Sequence, residues 1–191
     1  FPDTLIIRDL YQFKPPRPFA PGSEVAGVIE AIGPDVSGYQ IGDRVMALGR
    51  MGGFATHMIV PVSGLVPMPN TMPFDEAACF VFTYGTSHYA LRDWAKLRAG
   101  ETLLVLGAAA IELGKAMGAK VIAAVSSEQK AEFCRKIGAD DTVIHPRNMD
   151  HDAQKALSSA IKASVGPNGV DVVYDPVGGA YSEPAIRCLG W

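Results

Sequence analysis

The residues best placed for chemistry stand at the ends of short apolar runs. Thr102-Leu103-Leu104-Val105-Leu106 ends at Gly107, and Val121-Ile122-Ala123-Ala124-Val125 ends at Ser126-Ser127, with Lys130 one helical turn further on. A glycine at a strand end lets backbone N–H groups approach a phosphate, and small hydroxyls beside an ammonium accept a phosphate that a carboxylate would repel. A third run, Thr142-Val143-Ile144, closes on His145, with Arg147 just beyond it. Arg147 offers a guanidinium to the same kind of anion, and His145 is either a ring for stacking or an exposed loop imidazole. A fourth run, Val170-Asp171-Val172-Val173-Tyr174, leads into Asp175-Pro176-Val177-Gly178-Gly179.

These run ends gather only if the runs lie side by side. The stretches between them have helical composition: Ala108 to Gly118, then a helix to Gly138 opened by Ser126 and Gln129 at capping-box spacing, then about Asp150 to Ser164. The order βαβαβαβ predicts an α/β fold, a right-handed, doubly wound parallel sheet whose ligand lies beyond the strands' carboxyl ends, near Gly107, Ser126, His145 and Asp175 to Gly179. Four strands are visible where a complete dinucleotide-type sheet has about six, so the sheet is expected to be incomplete. Before residue 84 the grammar differs. Short β-type runs, Glu24 to Gly33, Asp43 to Ala47 and Phe54 to Val60, are broken by Gly and Pro and predict a small barrel-like unit. Tyr84, Tyr89, Leu91, Trp94 and Leu97 have tolerable helical spacing for an element joining two domains, at 1–90 and 91–191.

Composition narrows the classes. Lys and Arg total 17 against 20 Asp and Glu, a net charge of −3 that gives nucleic acid no long-range attraction. Hydrophobic residues at 48% and charged residues at 19% suit a globular core and exclude disorder. No apolar run reaches the roughly 18 to 20 residues of a membrane helix, so no membrane partner is expected. Cys79, Cys134 and Cys188 are too far apart for a disulfide framework or a metal knuckle, and suggest a reducing, cytoplasmic setting; Cys79 and Cys134 read as small hydrophobes in apolar helical surroundings. The opening Phe1-Pro2-Asp3 and the closing Leu189-Gly190-Trp191 read as starting and stopping in mid-fold.

Several segments together resemble the medium-chain dehydrogenase/reductase superfamily, and within it the zinc-free NADPH:quinone oxidoreductase group. They are Pro21 to Gly33 (PGSEVAGVIEAIG), Gly42-Asp43-Arg44-Val45, Gly53-Phe54-Ala55 leading to Val60-Pro61, Ala99 to Ala109 (AGETLLVLGAA) and Asp171 to Gly179 (DVVYDPVGG). The resemblance implies a GroES-like β-rich catalytic domain, incomplete at its start, followed by an incomplete Rossmann-type domain. It also implies hydride transfer from NADPH to a quinone or enone in a cleft between domains, and homodimers by family analogy. Zinc-dependent members carry His where Ser23 stands and a run of close cysteines that this chain lacks. A hydroxyl is a poor Zn²⁺ ligand, so no metal is expected.

One segment departs from the resemblance. The family follows its first strand with Gly-x-x-Gly-x-x-Gly, whereas here Gly107-Ala108-Ala109-Ala110-Ile111 runs on without the later glycines, about six residues short. A crossover this short is barely the dozen residues a parallel connection needs. The expectation is that the absent residues belong to the molecule, and that the sequence as written would bind dinucleotide poorly. An NAD site usually has Asp or Glu about 20 residues after the first glycine; counting from Gly107 reaches Ser126 and Ser127, which favours NADPH, with Glu128 the contrary sign.

By resemblance Thr86 touches the nicotinamide end of the cofactor, Asp3, Thr4 and Tyr11 form the catalytic cleft floor, and Gly178 and Gly179 lie near the nicotinamide ribose. Thr86 alternatively caps a helix, Asp3 is a loop carboxylate, Tyr11 a surface ring, and the glycine pair a mere turn. His57 within a strand and His88 on the joining helix read as structural, and Glu24 pairs with Arg44. Two rivals stay open: an enoyl-thioester reductase, for which Arg8, Lys14 and Arg17 are the available basic cluster, and a non-catalytic nucleotide-binding member of the fold.

Overall fold

The computed structural model describes residues 2–190, so the terminal Phe1 and Trp191 discussed above lie outside the described residues. The chain divides into two compact units, Phe1–Gly85 and Thr86–Trp191.

The first unit opens with a short helix α1 (Pro2–Ile6) and builds an antiparallel sheet from β1 (Glu24–Val28), β2 (Arg44–Leu48) and β3 (Leu65–Pro67), in that order. A four-residue helix α2 (Phe74–Ala77) follows, and α3 (Val81–Tyr89) runs across the division into a π-helical turn, Ala90–Trp94. The expected run from Glu24 to Gly33 stops pairing after Val28. Phe54 to Val60 forms no strand despite its alternation, and His57 is therefore not in one. A period-two pattern becomes a strand only where a neighbour satisfies its backbone groups. No described strand does so here, and Ile59 is 99% exposed. The core of this unit is small, with Met46, Met68 and Ala77 buried and Ala26, Met72 and Val81 packed against them.

The second unit has the expected alternation: β4 (Thr102–Leu106), α4 (Ile111–Ala116), β5 (Lys120–Val125), α5 (Glu128–Lys136), β6 (Asp141–Ile144), α6 (His151–Val165), β7 (Val172–Tyr174) and α7 (Ser182–Ile186). The strands are parallel in the order β6-β5-β4-β7. Chain order reverses beside β4, between β5 and β7, which is the position where doubly wound sheets leave a crevice for ligand. Both faces are covered, as parallel strands require. Leu103, Val105, Val121 and Ala123 pack with Ile111 of α4 and Ala131 and Cys134 of α5, while Leu104, Leu106, Ile122 and Ala124 pack with Leu157 and Ile161 of α6 and Ala185 of α7. Burial raises the Cys134 and Cys188 thiols above their ordinary pKa. Cys79, by contrast, is exposed between α2 and α3, not in an apolar setting.

Three element ends differ from expectation. The helix after β4 is six residues long, against the eleven between Ala108 and Gly118. The helix after β5 is capped by Ser127, whose hydroxyl accepts the Lys130 N–H, and not by Ser126. The fourth strand is limited to Val172–Tyr174, and Val170 instead bridges to Leu189.

Candidate functional site

Parallel register brings the run ends to one edge of the second unit. Leu106 lies opposite Ala124, Val125 opposite Ile144, and Val105 opposite Tyr174. The turns carrying Gly107, Ser126, His145 and Asp175 therefore leave the sheet on the same side. Candidate residues separated by up to some seventy positions are made neighbours by topology alone.

After β5 the geometry suits an anion. Ser126 and Ser127 are half-buried, Lys130 Nζ donates to Ser126 Oγ at 3.1 Å, and the Ser127 hydroxyl caps the nine-residue α5. A capped helix N-terminus adds its positive dipole end to that ammonium. Glu128, the residue that argued for a free ribose, is ion-paired along α5 with Arg135, which also donates to Thr142 Oγ1. Arg147 is exposed on the loop after β6, where its carbonyl accepts the Tyr181 hydroxyl at 2.8 Å. His145 is half-buried, its ring 4.8 Å from that of Tyr181 and its Nδ1 3.0 Å from the Pro146 carbonyl, so one face of the imidazole already has an aromatic neighbour.

The turn after β4 is different. The chain passes continuously from Gly107 through Ala108, Ala109 and Ala110, with the Ile111 N–H donating to the Ala108 carbonyl at 3.1 Å, so the connection closes without the six residues expected between them. Gly107 has φ +115°, a value that requires glycine, and space is open where a β-carbon would stand. Ala108 is half-buried, Ala109 exposed, and Ala110 and Ile111 wholly buried in the core. Gly114 is pressed against the sheet, since a β-carbon there would lie 2.7 Å from Leu103 Cδ2 and 2.9 Å from Val121 Cγ2.

After β7 the turn is organised by Asp175, which the sequence placed at the ligand edge without indicating a role for it. It accepts the N–H groups of Val177 at 2.9 Å and Gly178 at 2.8 Å and the hydroxyl of Ser182. Burial alone would raise its carboxyl pKa, but these three hydrogen bonds, that from Gly178 foremost, hold it below the ordinary aspartate range. An acidic residue followed by two glycines was the available signal. Gly178 and Gly179 both adopt positive φ in this turn. Ser87, missed in the sequence, is buried and shares a 2.9 Å hydrogen bond with the Tyr174 hydroxyl, joining α3 to the end of β7. Thr86 is exposed one residue earlier, inside α3, where it cannot act as the cap considered for it. His88 lies on the same helix.

In the first unit Asp3 lies on α1, not in a loop, and accepts the Gly22 N–H at 2.8 Å. It fastens the start of the Gly22-Ser23-Glu24 segment. Thr4 is exposed and Tyr11 half-buried. Glu24 does not pair with Arg44: β1 and β2 run antiparallel with Glu24 opposite Leu48 and Val28 opposite Arg44, which sets the two side chains at opposite ends. The Glu24 carboxylate accepts the Phe82 N–H at 2.9 Å, capping α3, while the Arg44 guanidinium donates to the Met72 carbonyl and lies 4.3 Å over the Phe74 ring. Among the described residues no group of three or more His, Cys, Asp or Glu is placed to hold a metal ion. Ser23 donates its hydroxyl to the Arg50 carbonyl at 3.4 Å.

Two family models match the chain: the alcohol dehydrogenase GroES-like domain over residues 1–70 and the zinc-binding dehydrogenase domain over residues 105–190. The zinc named in the second finds no fitting donor set in the described residues. Quinone oxidoreductase-like protein 2 of Rattus norvegicus is 35% identical over 100% of this chain and 55% of its own length. A Mycobacterium abscessus crystal structure, of a "probable oxidoreductase", is 39% identical with a TM-score of 0.86 and covers 100% of this chain and 59% of its own. Escherichia coli quinone oxidoreductase complexed with NADPH is 30% identical with a TM-score of 0.84, over 98% of this chain and 57% of its own. The chain thus spans little more than half of the proteins it matches. The rat alignment runs over 198 positions where this chain has 191 residues, so that relative carries residues within the span that are absent here.

Proposed function

We propose that this chain, which belongs to the medium-chain dehydrogenase/reductase superfamily and to its quinone oxidoreductase group, is part of an NADP(H)-dependent reductase acting on a quinone or another conjugated carbonyl compound. The observation that carries the cofactor half of this reading is the end of β5. Two half-buried hydroxyls and the Lys130 ammonium converge at the capped start of α5, and the carboxylate of Glu128, the first residue of that helix, is paired with Arg135. That arrangement suits a 2′-phosphate and gives a bare ribose diol no carboxylate partner.

The fit to NADPH is divided. The adenosine 2′-phosphate end has residues to hold it: Ser126, Ser127 and Lys130, with Arg147 on the neighbouring loop. The pyrophosphate end does not fit, because the turn after β4 keeps a single glycine and turns buried alanine and isoleucine side chains into the core.

The substrate class follows from the donor set. With Ser23 in place of an imidazole and its hydroxyl on the Arg50 carbonyl, the described residues hold no donor set for a Lewis acid, and an acceptor that is already electrophilic suits them best. Asp3 positions this segment by holding the Gly22 N–H. A quinone is the preferred acceptor because relatives that match along the whole of this chain are named quinone oxidoreductase-like. The test is calorimetric titration of the purified protein with NADPH and with NADH, followed by NADPH consumption with ortho- and para-quinones against enoyl-CoA esters. The expected result is a preference for NADPH and for quinones. Equal binding of NADH overturns the cofactor reading, and turnover confined to enoyl-CoA overturns the substrate reading.

A further inference from the structure

Two nucleotide-binding turns that normally act together are unequal in this chain. A pyrophosphate is held by free backbone N–H groups at a glycine-rich turn and by the first turn of the helix that follows. After β4 two of those donors are already spent: the Gly107 N–H is bonded to the Ala124 carbonyl at 3.2 Å and the Ile111 N–H to the Ala108 carbonyl at 3.1 Å. The first helical residue, Ile111, is 0% exposed, and its predecessor Ala110 equally so. At six residues, α4 is less than two turns long and its dipole is correspondingly weak. After β5, by contrast, α5 has nine residues, a serine cap and Lys130 beside Ser126.

We infer that this chain grips only the 2′-phosphoadenosine half of the cofactor, leaving the pyrophosphate and everything beyond it unheld by the turn after β4. The inference rests on the reading of Ser126, Ser127 and Lys130 as a 2′-phosphate site, and adds that this site supplies essentially all the nucleotide affinity.

Calorimetric titration of the unmodified protein with NADPH, 2′,5′-ADP and NADH tests it without any variant. The expected result is that NADPH and 2′,5′-ADP bind within about threefold of each other while NADH binds at least about tenfold more weakly. A second measurement uses a protein with Gly-Ala-Val-Gly-Leu-Ala inserted between Ala109 and Ala110, which restores the glycine spacing after Gly107. That insertion should tighten NADPH about tenfold and leave 2′,5′-ADP unchanged. NADPH binding the unmodified protein tenfold more tightly than 2′,5′-ADP overturns the inference while the 2′-phosphate site stands. NADH matching NADPH, or 2′,5′-ADP failing to bind either protein, removes the 2′-phosphate site itself, and with it the cofactor reading above.

Discussion

The turns that follow β4 and β5 occupy equivalent places in one sheet, one strand apart, yet they are built from opposite materials. The first is three alanines and an isoleucine, the last two of them, Ala110 and Ile111, folded inward, feeding a six-residue helix without a side-chain cap. The second is two serines facing the sheet edge, feeding a nine-residue helix that one of them caps. What separates them is the destination of the backbone donors and the side chains. The connections themselves are of similar length, residues 107–119 against 126–140; alanine and isoleucine pack inward after β4, where two half-buried serines and an exposed lysine stand after β5. Topology thus supplies the place for a phosphate, and the residues of the turn decide whether it can be used.

The sharpest way to break this comparison is to attack the packing of the short helix. Gly114→Val places side-chain atoms where Leu103 and Val121 already stand, and should cost about 2 to 3 kcal/mol in urea or thermal unfolding, at the upper end of overpacking effects. A neutral result would show that α4 is not pressed on the sheet and that its turn is free to rearrange. Next in size, Lys130→Ala should weaken 2′,5′-ADP about tenfold in calorimetry, the worth of one charge-assisted hydrogen bond, with the unfolding midpoint unchanged. Unchanged affinity would remove the distinction between the two turns. Ser127→Ala removes the cap of α5 and should lower stability by about 1 kcal/mol, measured by chemical denaturation; Ser127→Asp should largely restore it.

The smallest effect separates the β5 turn from the turn after β7. The Asp175 carboxyl is held below its ordinary pKa by the Gly178, Ser182 and Val177 donors, so its contribution is fully present above the unfolded aspartate value of about 3.9 and is lost as pH falls through the lower folded value. An Asp175→Asn protein should therefore show a shallower loss of stability on acidification over that window than the unmodified protein, read by thermal melts in a pH series. Equal slopes would mean that Val177, Gly178 and Ser182 do not hold the charged form. Asp140, whose carboxylate takes Lys115 at 2.8 Å and the Val121 N–H at 2.7 Å, is also lowered and accounts for part of the remaining slope.

Much of the second unit was legible because its strands are buried on both faces. Continuous apolar runs such as Leu103-Leu104-Val105-Leu106 have few other places to go, and glycine and serine mark where they stop. The first unit was less legible. Phe54 to Val60 alternates like a strand, but alternation records only a preference for a pleated surface; Ile59, almost wholly exposed, has none to join. Glu24 and Arg44 invited a pairing by charge, and antiparallel register placed them at opposite ends, leaving each to a backbone partner instead. Asp175 was hidden for a related reason, since its three partners are near in sequence but assemble around it only when the turn folds.

From its residues alone, this chain was bound to make a parallel sheet with its ligand-facing turns on one edge, because apolar runs and their spacing depend on local composition and on the handedness of strand crossovers. Whether each turn can hold anything was decided only in three dimensions. Hydrogen-bond donors are counted as free or spent by what lies next to them: the Ile111 N–H already has the Ala108 carbonyl, and the side chains of Ala110 and Ile111 are committed to the core.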